Sequence, residues 1–299
     1  MTKNKVFFVV NKYSGTGFQD ALEGKIIDTC AQFNIEATIE YTQHKGHATN
    51  LARNAVGHGY ARIFAMGGDG TVNEVAQGVV NTSSEMGIIP TGSGNGLARH
   101  LHIPLKTATA LQLLDKHNVI AMDTLMINNH LSVNVSGIGF DGHVAVKFGK
   151  NGKRGLIGYS KLVLKEFLSF KEFPVEVLID GVLLKRKSFI LALANSSQFG
   201  NNAKISPFAS VCDNLIDVCF IKKVPLSHAV GFAQKMFTGQ MNKSAFVETV
   251  QGKNISMEFD KPMPYHIDGE AMEPDSKFNI SLTPGSLKMI VPDNAKLKP

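Results

Sequence analysis

Two glycine-rich segments have the composition of loops whose backbone binds phosphate. The first is GGDGT at 67–71, between an apolar run and a helical pattern, and the second is PTGSGNG at 90–96. Glycines let backbone N–H groups approach a ligand closely, and the N-terminus of a following helix attracts anions. Because like charges repel, we expect Asp69 either to reach phosphate through a Mg²⁺ bridge or to form hydrogen bonds at the edge of its loop.

The GGDGT segment also has a purely structural interpretation. It could be a tight turn from strand to helix, with Thr71 as the helix cap and Glu74 completing a capping box. A turn alone rarely needs three glycines beside an acidic residue, and a second loop of the same kind follows, so phosphate binding is favoured. A Walker-type loop, GxxxxGK[ST], is excluded because none of the Gly-Lys pairs at 24, 149, 152 and 252 precedes Ser or Thr.

A pair of carboxylates near the end of the chain could perform acid–base chemistry. Asp268 and Glu270 are separated only by Gly269. If the backbone is extended there, both side chains point to the same side. One could then accept the proton of an attacking hydroxyl while the other holds Mg²⁺ or orients its partner. The sequence leaves the two roles open, and the alternative is a turn built on Asp-Gly.

The elements that must position these residues alternate between strand and helix in the first part of the chain. Apolar or alternating runs predict strands at 6–10, 35–41, 62–66 and 86–89, with helical patterns between them. This order predicts an α/β domain whose parallel sheet is covered by helices on both faces, giving three layers. Ligands bind at the carboxyl ends of such strands, so we expect the two glycine-rich loops to face one cleft.

The pattern changes near residue 123. Strand-like runs then predominate, and only 156–170 and 226–237 have a helical pattern. We therefore predict an α/β domain at 1–123 and a mostly antiparallel β-rich domain at 124–299, with the last strand, 287–291, closing either domain. A GxGxxG pattern at 137–142 lacks the acidic residue and the βαβ unit of a dinucleotide site, which disfavours that function.

Composition restricts the class of protein and its partners. With 43% hydrophobic and 19% charged residues, the 299-residue chain is neither disordered nor fibrous. Its longest apolar runs are far shorter than a bilayer-spanning helix, and three cysteines without a CxxC pair suit a reducing compartment, so we expect a cytoplasmic protein. The net charge of +6 favours anionic partners, but no nucleic-acid-binding signature accompanies it, and nucleic acid is disfavoured.

Three motifs together resemble those of the diacylglycerol kinase catalytic-domain family, which includes bacterial soluble lipid kinases, sphingosine kinases and ceramide kinases. They are GGDGTVNEV at 67–75, PTGSGNGLARHL at 90–101 and HIDGE at 266–270, and the similarity extends over nearly the whole chain. Two segments depart from the family: NKYSG at 11–15 replaces NPxSG, and DNLID at 213–217 replaces DGxLD. The resemblance implies an α/β nucleotide domain followed by a β-sandwich.

The resemblance also implies site residues and two cofactors, ATP and Mg²⁺. It assigns Asp268 and Glu270 to catalysis at the γ-phosphate. A structural Mg²⁺ would be bound by Asp213 and by the backbone carbonyls of Ser210 and Leu215. The residues that would line or support the ATP site are Asn11, Ser14, Gly15, Thr42, Gly67, Gly68, Asp69, Gly70, Thr71, Val72, Asn73, Glu74, Ser93 and Asn95.

The function that these expectations favour is an ATP-dependent lipid kinase. It would transfer the γ-phosphate to a hydroxyl of a diacylglycerol-like or sphingoid-like lipid while associating reversibly with the inner face of the membrane, and a homodimer is allowed. The apolar face of 156–170 could line a lipid pocket, rest on the membrane or belong to the core. Two alternatives remain: a NAD kinase-like enzyme, disfavoured by NKYSG and that apolar helix, and a non-catalytic nucleotide- or lipid-binding regulator, disfavoured by intact GGDGT and DGE.

Overall fold

The computed structural model describes residues 4–15, 21–151, 166–293 and 295. The chain forms two units. Unit 1 contains Met1–Thr124, Val211–Asp213 and Pro284–Pro299, and unit 2 contains Leu125–Ser210 and Asn214–Thr283. Asp123 holds the three segments of unit 1 together, because its N–H donates to Val211 O and its carboxylate accepts the N–H of Gly285.

Unit 1 contains a parallel sheet. Its strands are β1 (Asn4–Val10), β2 (Ile35–Tyr41), β3 (Arg62–Gly67) and β4 (Glu85–Pro90), in the order β2-β1-β3-β4. The end of β16 (Asp275–Val291) continues the sheet parallel to β4. All six residues of β3 are buried, as expected for a parallel strand covered on both faces. The predicted α/β class is confirmed.

The helices of unit 1 follow its strands. They are α1 (Ala21–Gln32), α2 (His47–Gly57), α3 (Asp69–Val79), α4 (Gly96–His100) and α5 (Thr107–Ala110), with a 3₁₀ turn at Leu111–Leu114. Helices α2 and α3 approach closely at Gly78, where a Cβ atom would lie 2.5 Å from the Cβ of Ala52. α3 therefore has a fixed position behind the loop that precedes it.

Unit 2 is a β-sandwich, as predicted. The strands after β4 are β5 (Asn118–Ile127), which begins in unit 1, β6 (His130–Ser132), β7 (Val135–Gly139), β8 (Phe173–Ile179), β9 (Val182–Ser188), β10 (Ile190–Ala194), β11 (Ile216–Ile221), β12 (Val247–Gly252), β13 (Asn254–Met263), β14 (Tyr265–Ile267) and β15 (Glu270–Ala271). One antiparallel sheet has the order β12-β11-β10-β7-β14-β15, and the other contains β13, β8, β9 and the first part of β16. Apolar side chains of both sheets, such as Val218 and Phe278, form one buried core.

Unit 2 also contains α-helices, two of which lie within the described ranges over their whole length. α6 (Phe140–Asn151) follows β7, and α7 (Ala229–Thr238) follows a 3₁₀ turn at Leu226–His228 and precedes another at Met241–Lys243. Most of the helix predicted at 156–170 lies outside the described residues, and its end, 166–169, is helical. Within the described ranges, no helix has the length and hydropathy needed to cross a bilayer.

Candidate active site

Asp69 joins the two glycine-rich loops of unit 1. It is the first residue of α3, directly after the loop that ends β3, and its Oδ1 accepts a hydrogen bond from the N–H of Gly96 at 2.7 Å. Gly96 is the first residue of α4, so one carboxylate lies at the start of both helices, where negative charge is stabilised. Of the two roles expected for Asp69, the structure contains the hydrogen-bonding one.

The two loops also touch backbone to backbone. A Cβ atom on Gly92 would lie only 2.5 Å from Gly68 Cα, and Thr91 N–H donates to Gly67 O at 3.0 Å. Asn95 has a left-handed backbone, donates from Nδ2 to Gly92 O at 2.8 Å, and has a buried Oδ1 without a hydrogen-bond partner among the described residues. The predicted convergence of these loops follows from the order of their strands, because β3 and β4 are neighbours.

The NKYSG segment forms a third part of this loop cluster. Asn11 Nδ2 donates to Thr71 Oγ1 at 3.0 Å, and the hydroxyls of Ser14 and Thr91 are 2.6 Å apart. Gly15 has a φ of 64°, and a Cβ there would lie 1.9 Å from Thr91 O. Asn11, Ser14 and Gly15 therefore make these contacts in a chain that has Lys12 where the NPxSG motif has proline.

Glu74 stabilises the neighbouring loop instead of capping its own helix. Its carboxylate accepts the N–H groups of Gly46 at 2.9 Å and Ala48 at 3.1 Å, at the start of α2. A capping box with Thr71 does not form, because the N-terminus of α3 has no side-chain cap. These bonds hold the segment after β2, where Thr42 N–H donates to Val10 O.

The other residues implied by the resemblance differ in exposure. Val72 and Asn73 are buried in α3, and Asn73 Oδ1 accepts a hydrogen bond from Gln77. Gly70 and Ser93 are exposed at the surface of the two loops. Unit 1 thus brings the loops at 11–15, 67–71 and 91–96 together, while Val72 and Asn73 support them from within α3.

In unit 2, the DGE triplet is a tight turn and not an extended segment. Asp268 and Gly269 have φ values of 49° and 90°, and Ile267 pairs with Glu270 across the hairpin of β14 and β15. Positive φ at both central positions is typical of the type I′ turn, which Asp-Gly favours. The extended backbone that would point both carboxylates to one side is therefore not formed, and the alternative, a turn built on Asp-Gly, is. Asp268 is 8% exposed, whereas Glu270 lies at the surface.

The carboxylate of Asp268 is surrounded by hydrogen-bond donors. It accepts bonds from Ser132 Oγ at 2.6 Å, Val133 N–H at 2.8 Å and Asn134 N–H at 3.1 Å. Ser136 extends this network, because its hydroxyl donates to Ser132 Oγ and accepts the N–H of Asp268. A buried carboxylate needs such donors, and here they fix the turn to the segment between β6 and β7.

His266 supports the same turn from its other side. Its Nδ1 accepts the N–H of Gly269 at 3.0 Å, so the ring proton lies on Nε2, 3.2 Å from Asp141 Oδ2. His266 is 4% exposed, and Asp141 lies in the first turn of α6. Sequence analysis missed this pair: HIDGE contains the histidine, but nothing in the local sequence indicates a partner at 141.

The residues predicted to bind a structural metal lie close together in the sequence. Asp213 is in unit 1, and Ser210 and Leu215 are in unit 2. Asn214 has a φ of 60°, the left-handed conformation that Asn tolerates, which explains how DNLID can replace DGxLD. Among the described residues, no group of three His, Cys, Asp or Glu side chains could hold a metal ion. Of the three predicted ligands, only Asp213 has a side chain of these types.

The cysteines do not contribute to the loop cluster. Cys30 and Cys219 are buried, and Cys212 is half-buried. Burial raises the pKa of Cys30 and of Cys212 to about 11 and that of Cys219 to about 12. All three thiols therefore stay protonated at neutral pH, as expected for cysteines that fill space.

Two family models match consecutive parts of the chain. Residues 5–127 match the diacylglycerol kinase catalytic domain, and residues 134–291 match the YegS C-terminal NAD kinase beta sandwich-like domain. The first match contains the three loops of unit 1, and the second contains the DGE turn.

Relatives and solved structures with similar sequences cover most of the chain. Proteins named "Probable lipid kinase YegS-like" from Chromohalobacter salexigens and Yersinia enterocolitica are each 26% identical, over 87% of this chain and 85% and 88% of theirs. A Bacillus anthracis protein proposed to be a diacylglycerol kinase has a crystal structure that matches 99% of both chains, with a TM-score of 0.82 and 25% identity. A second structure, of a diacylglycerol kinase from that organism, matches 99% of both chains with a TM-score of 0.76 and 21% identity and supports the fold alone.

Proposed function

The chain belongs to the family that joins a diacylglycerol kinase catalytic domain to a YegS C-terminal domain, and from this premise we propose that it is an ATP-dependent lipid kinase. It transfers the γ-phosphate to a hydroxyl of a diacylglycerol-like or sphingoid-like lipid. The observation that carries this proposal is the direct contact of two glycine-rich loops, joined by the hydrogen bond from Gly96 N–H to Asp69. Gly70 and Ser93, which are exposed on the two loops, are suited to contact with a polyphosphate.

The loop cluster fits a nucleotide chemically. A Cβ atom on Gly15 or Gly92 would clash with a neighbouring loop, and one on Gly68 would lie 3.3 Å from Gly92 Cα. Gly70 and Ser93 are exposed at the surface. Bound ATP supplies the phosphoryl group, and the protein's part is to hold its phosphates by amides and hydroxyls at the ends of β1, β3 and β4.

The structural Mg²⁺ site is part of this proposal. The carboxylate of Asp213 and the carbonyls of Ser210 and Leu215 are oxygen ligands, which Mg²⁺ prefers. The left-handed Asn214 between them supports a tightly bent backbone at this point. When bound, Mg²⁺ neutralises negative charge and fixes its ligands.

The two carboxylates of the DGE turn have different tasks in this proposal. Glu270 is exposed and accepts the proton of the acceptor hydroxyl, whereas Asp268 already accepts three hydrogen bonds and positions the turn. His266 fixes the backbone of the turn through Gly269 N–H. This division is supported by burial and by hydrogen-bond count.

A lipid acceptor is supported by the family and by relatives named lipid kinases, whereas the apolar side chains around α6 belong to a buried core cluster. The rings of Phe140, Phe167, Phe170 and Phe189 form an aromatic cluster, with centroid distances of 4.5 to 5.9 Å. Such an enzyme acts where its acceptor is found, at the inner face of the membrane. A NAD kinase-like acceptor remains the second candidate, because the domain at 134–291 is described as NAD kinase beta sandwich-like.

Transfer of labelled phosphate tests the proposed function and separates the candidates. The protein is incubated with γ-labelled ATP and Mg²⁺ in parallel with diacylglycerol, a sphingoid base, a total lipid extract and NAD. We expect label in an organic-soluble product, with diacylglycerol and the sphingoid base compared directly. Label in NAD alone would replace the proposal by the second candidate, and no transfer to any acceptor would favour a non-catalytic regulator.

A further inference from the structure

Helix α7 has apolar side chains on two opposite faces. Phe232 and Met236 pack against a buried cluster that includes Cys219 and Met241. Val230 and Phe237 are 82% and 54% exposed. At about 100° per residue they lie roughly 20° apart and about 140–160° from Phe232, so they form a second apolar face turned away from the core.

This exposed face continues beyond the helix. Leu226, four residues before Val230, is 59% exposed, and it lines a cavity of about 440 Å³ together with Leu168, which is 62% exposed. We call Leu168, Leu226, Val230 and Phe237 the apolar ridge. Single exposed apolar residues are ordinary, but several that are more than half exposed on adjoining elements are typical of a binding surface.

The charge around the apolar ridge is mostly positive, with Glu172 as an acidic residue that lines the same cavity beside Lys171 and Lys223. Residues 222–247 contain Lys222, Lys223, Lys235 and Lys243 and no Asp or Glu. Lys222 and Lys243 are exposed, and Lys223 Nζ donates to Phe170 O at 2.6 Å, which ties this segment to the residues beside Leu168. An apolar stripe flanked by lysines is complementary to a bilayer with anionic headgroups, whereas lysine is depleted at protein–protein interfaces.

We propose that the apolar ridge and its flanking lysines dock the protein on an anionic lipid bilayer. The apolar side chains enter the boundary between headgroups and acyl chains, and the lysines attract the anionic headgroups. The proposal rests on the proposed function for its purpose, since a lipid kinase must reach an acceptor that resides in the bilayer. It assigns membrane contact to described residues of α7, in addition to the segment at 156–170 considered from the sequence.

Vesicle flotation tests this surface directly. Wild-type protein is mixed with vesicles of phosphatidylcholine alone or with added phosphatidylglycerol. The variant Leu226→Ser/Val230→Ser/Phe237→Ser should bind the anionic vesicles at least about tenfold more weakly than wild type, because it loses the apolar area that enters the interface. The matched control is Val182→Ser/Leu183→Ser, which removes residues of 61% and 53% exposure from the β8–β9 hairpin and should bind like wild type.

Charge variants test the second component. Lys222→Gln/Lys243→Gln should weaken binding to anionic vesicles severalfold and reduce its sensitivity to salt, whereas Lys25→Gln/Lys261→Gln, at exposed lysines elsewhere, should not. All of these side chains are exposed, and unchanged thermal unfolding shows that each variant folds.

Three results would overturn the proposal. The first is equal vesicle binding by the ridge variant and wild type, and the second is absence of wild-type binding to anionic vesicles. The third is a wild type that forms an oligomer and a ridge variant that is monomeric, which would make the surface a contact between protein chains. Turnover of a short-chain lipid acceptor, dissolved without vesicles, distinguishes failure of the bilayer-docking surface from failure of the proposed kinase function. If that turnover is absent while vesicle binding depends on the ridge, the kinase assignment fails and the bilayer surface stands.

Discussion

The carboxylate of Asp69 accepts the N–H of Gly96 at 2.7 Å and so joins the loop after β3 to the loop after β4. The two residues begin α3 and α4, whose N-termini therefore lie on either side of the same carboxylate. This hydrogen bond holds the two loops in one arrangement. In the proposed function, such preorganisation would position backbone donors for phosphate.

Removing this carboxylate tests its role. Asp69→Ala should lower kcat by at least about 100-fold, because it removes the hydrogen bond that links the two loops and the negative charge of the carboxylate. The free energy of unfolding should fall by about 1.5–3 kcal/mol, the range for a hydrogen bond to a charged group. Steady-state kinetics and urea unfolding provide the two values.

Asp69→Asn distinguishes a hydrogen bond from a charge requirement. The amide oxygen of Asn can still accept the N–H of Gly96, but it carries no charge. Activity near that of wild type would mean that the hydrogen bond suffices, and activity as low as that of Asp69→Ala would mean that the charge is required. Wild-type activity in Asp69→Ala itself would contradict the assignment of the phosphate loops.

Gly92→Ala tests the close contact of the loops. A methyl group there would lie 2.5 Å from Gly68 Cα, so the loops must separate. We expect a loss of about 1–3 kcal/mol in stability, as for other overpacked sites, and a raised KM for ATP. The control is Gly24→Ala in α1, where nothing lies within 4 Å of the new methyl group, and it should be neutral or stabilising. Equal behaviour of the two variants would show that the loops do not need this contact.

The two carboxylates of the DGE turn should respond differently to amide substitution. Glu270→Gln should reduce kcat by at least about 100-fold with little effect on thermal unfolding, since the side chain is exposed. Asp268→Asn should reduce both activity and stability, because an amide group then faces two N–H donors and a hydroxyl. If both variants remain active, the base lies elsewhere in the protein.

His266 should act through the position of the turn. His266→Gln removes the acceptor for Gly269 N–H, whereas His266→Asn can retain an oxygen near the position of Nδ1. We expect kcat of the Gln variant to fall by about 10- to 100-fold with KM for ATP unchanged, and partial recovery in the Asn variant. Equal losses in the two variants, accompanied by equal losses of stability, would indicate a packing role only.

The strands of unit 1 could be predicted because buried parallel strands appear as continuous apolar runs, as in β1 and β3. Contacts between residues far apart in the chain leave no comparable pattern in the local sequence. The hydrogen bond from Asp123 N–H to Val211 O and the donors to Asp268 from the segment after β6 join residues far apart in sequence. For the DGE triplet, the local sequence allowed both an extended segment and a turn on Asp-Gly, and the structure contains the turn.

A crystal structure with a non-hydrolysable ATP analogue and Mg²⁺ tests the central claim most directly. The account predicts the triphosphate against the loops at 11–15, 67–71 and 91–96, within hydrogen-bond distance of their backbone N–H groups. A nucleotide bound away from these loops in a well-occupied complex, or loops left empty at saturating nucleotide, would contradict it.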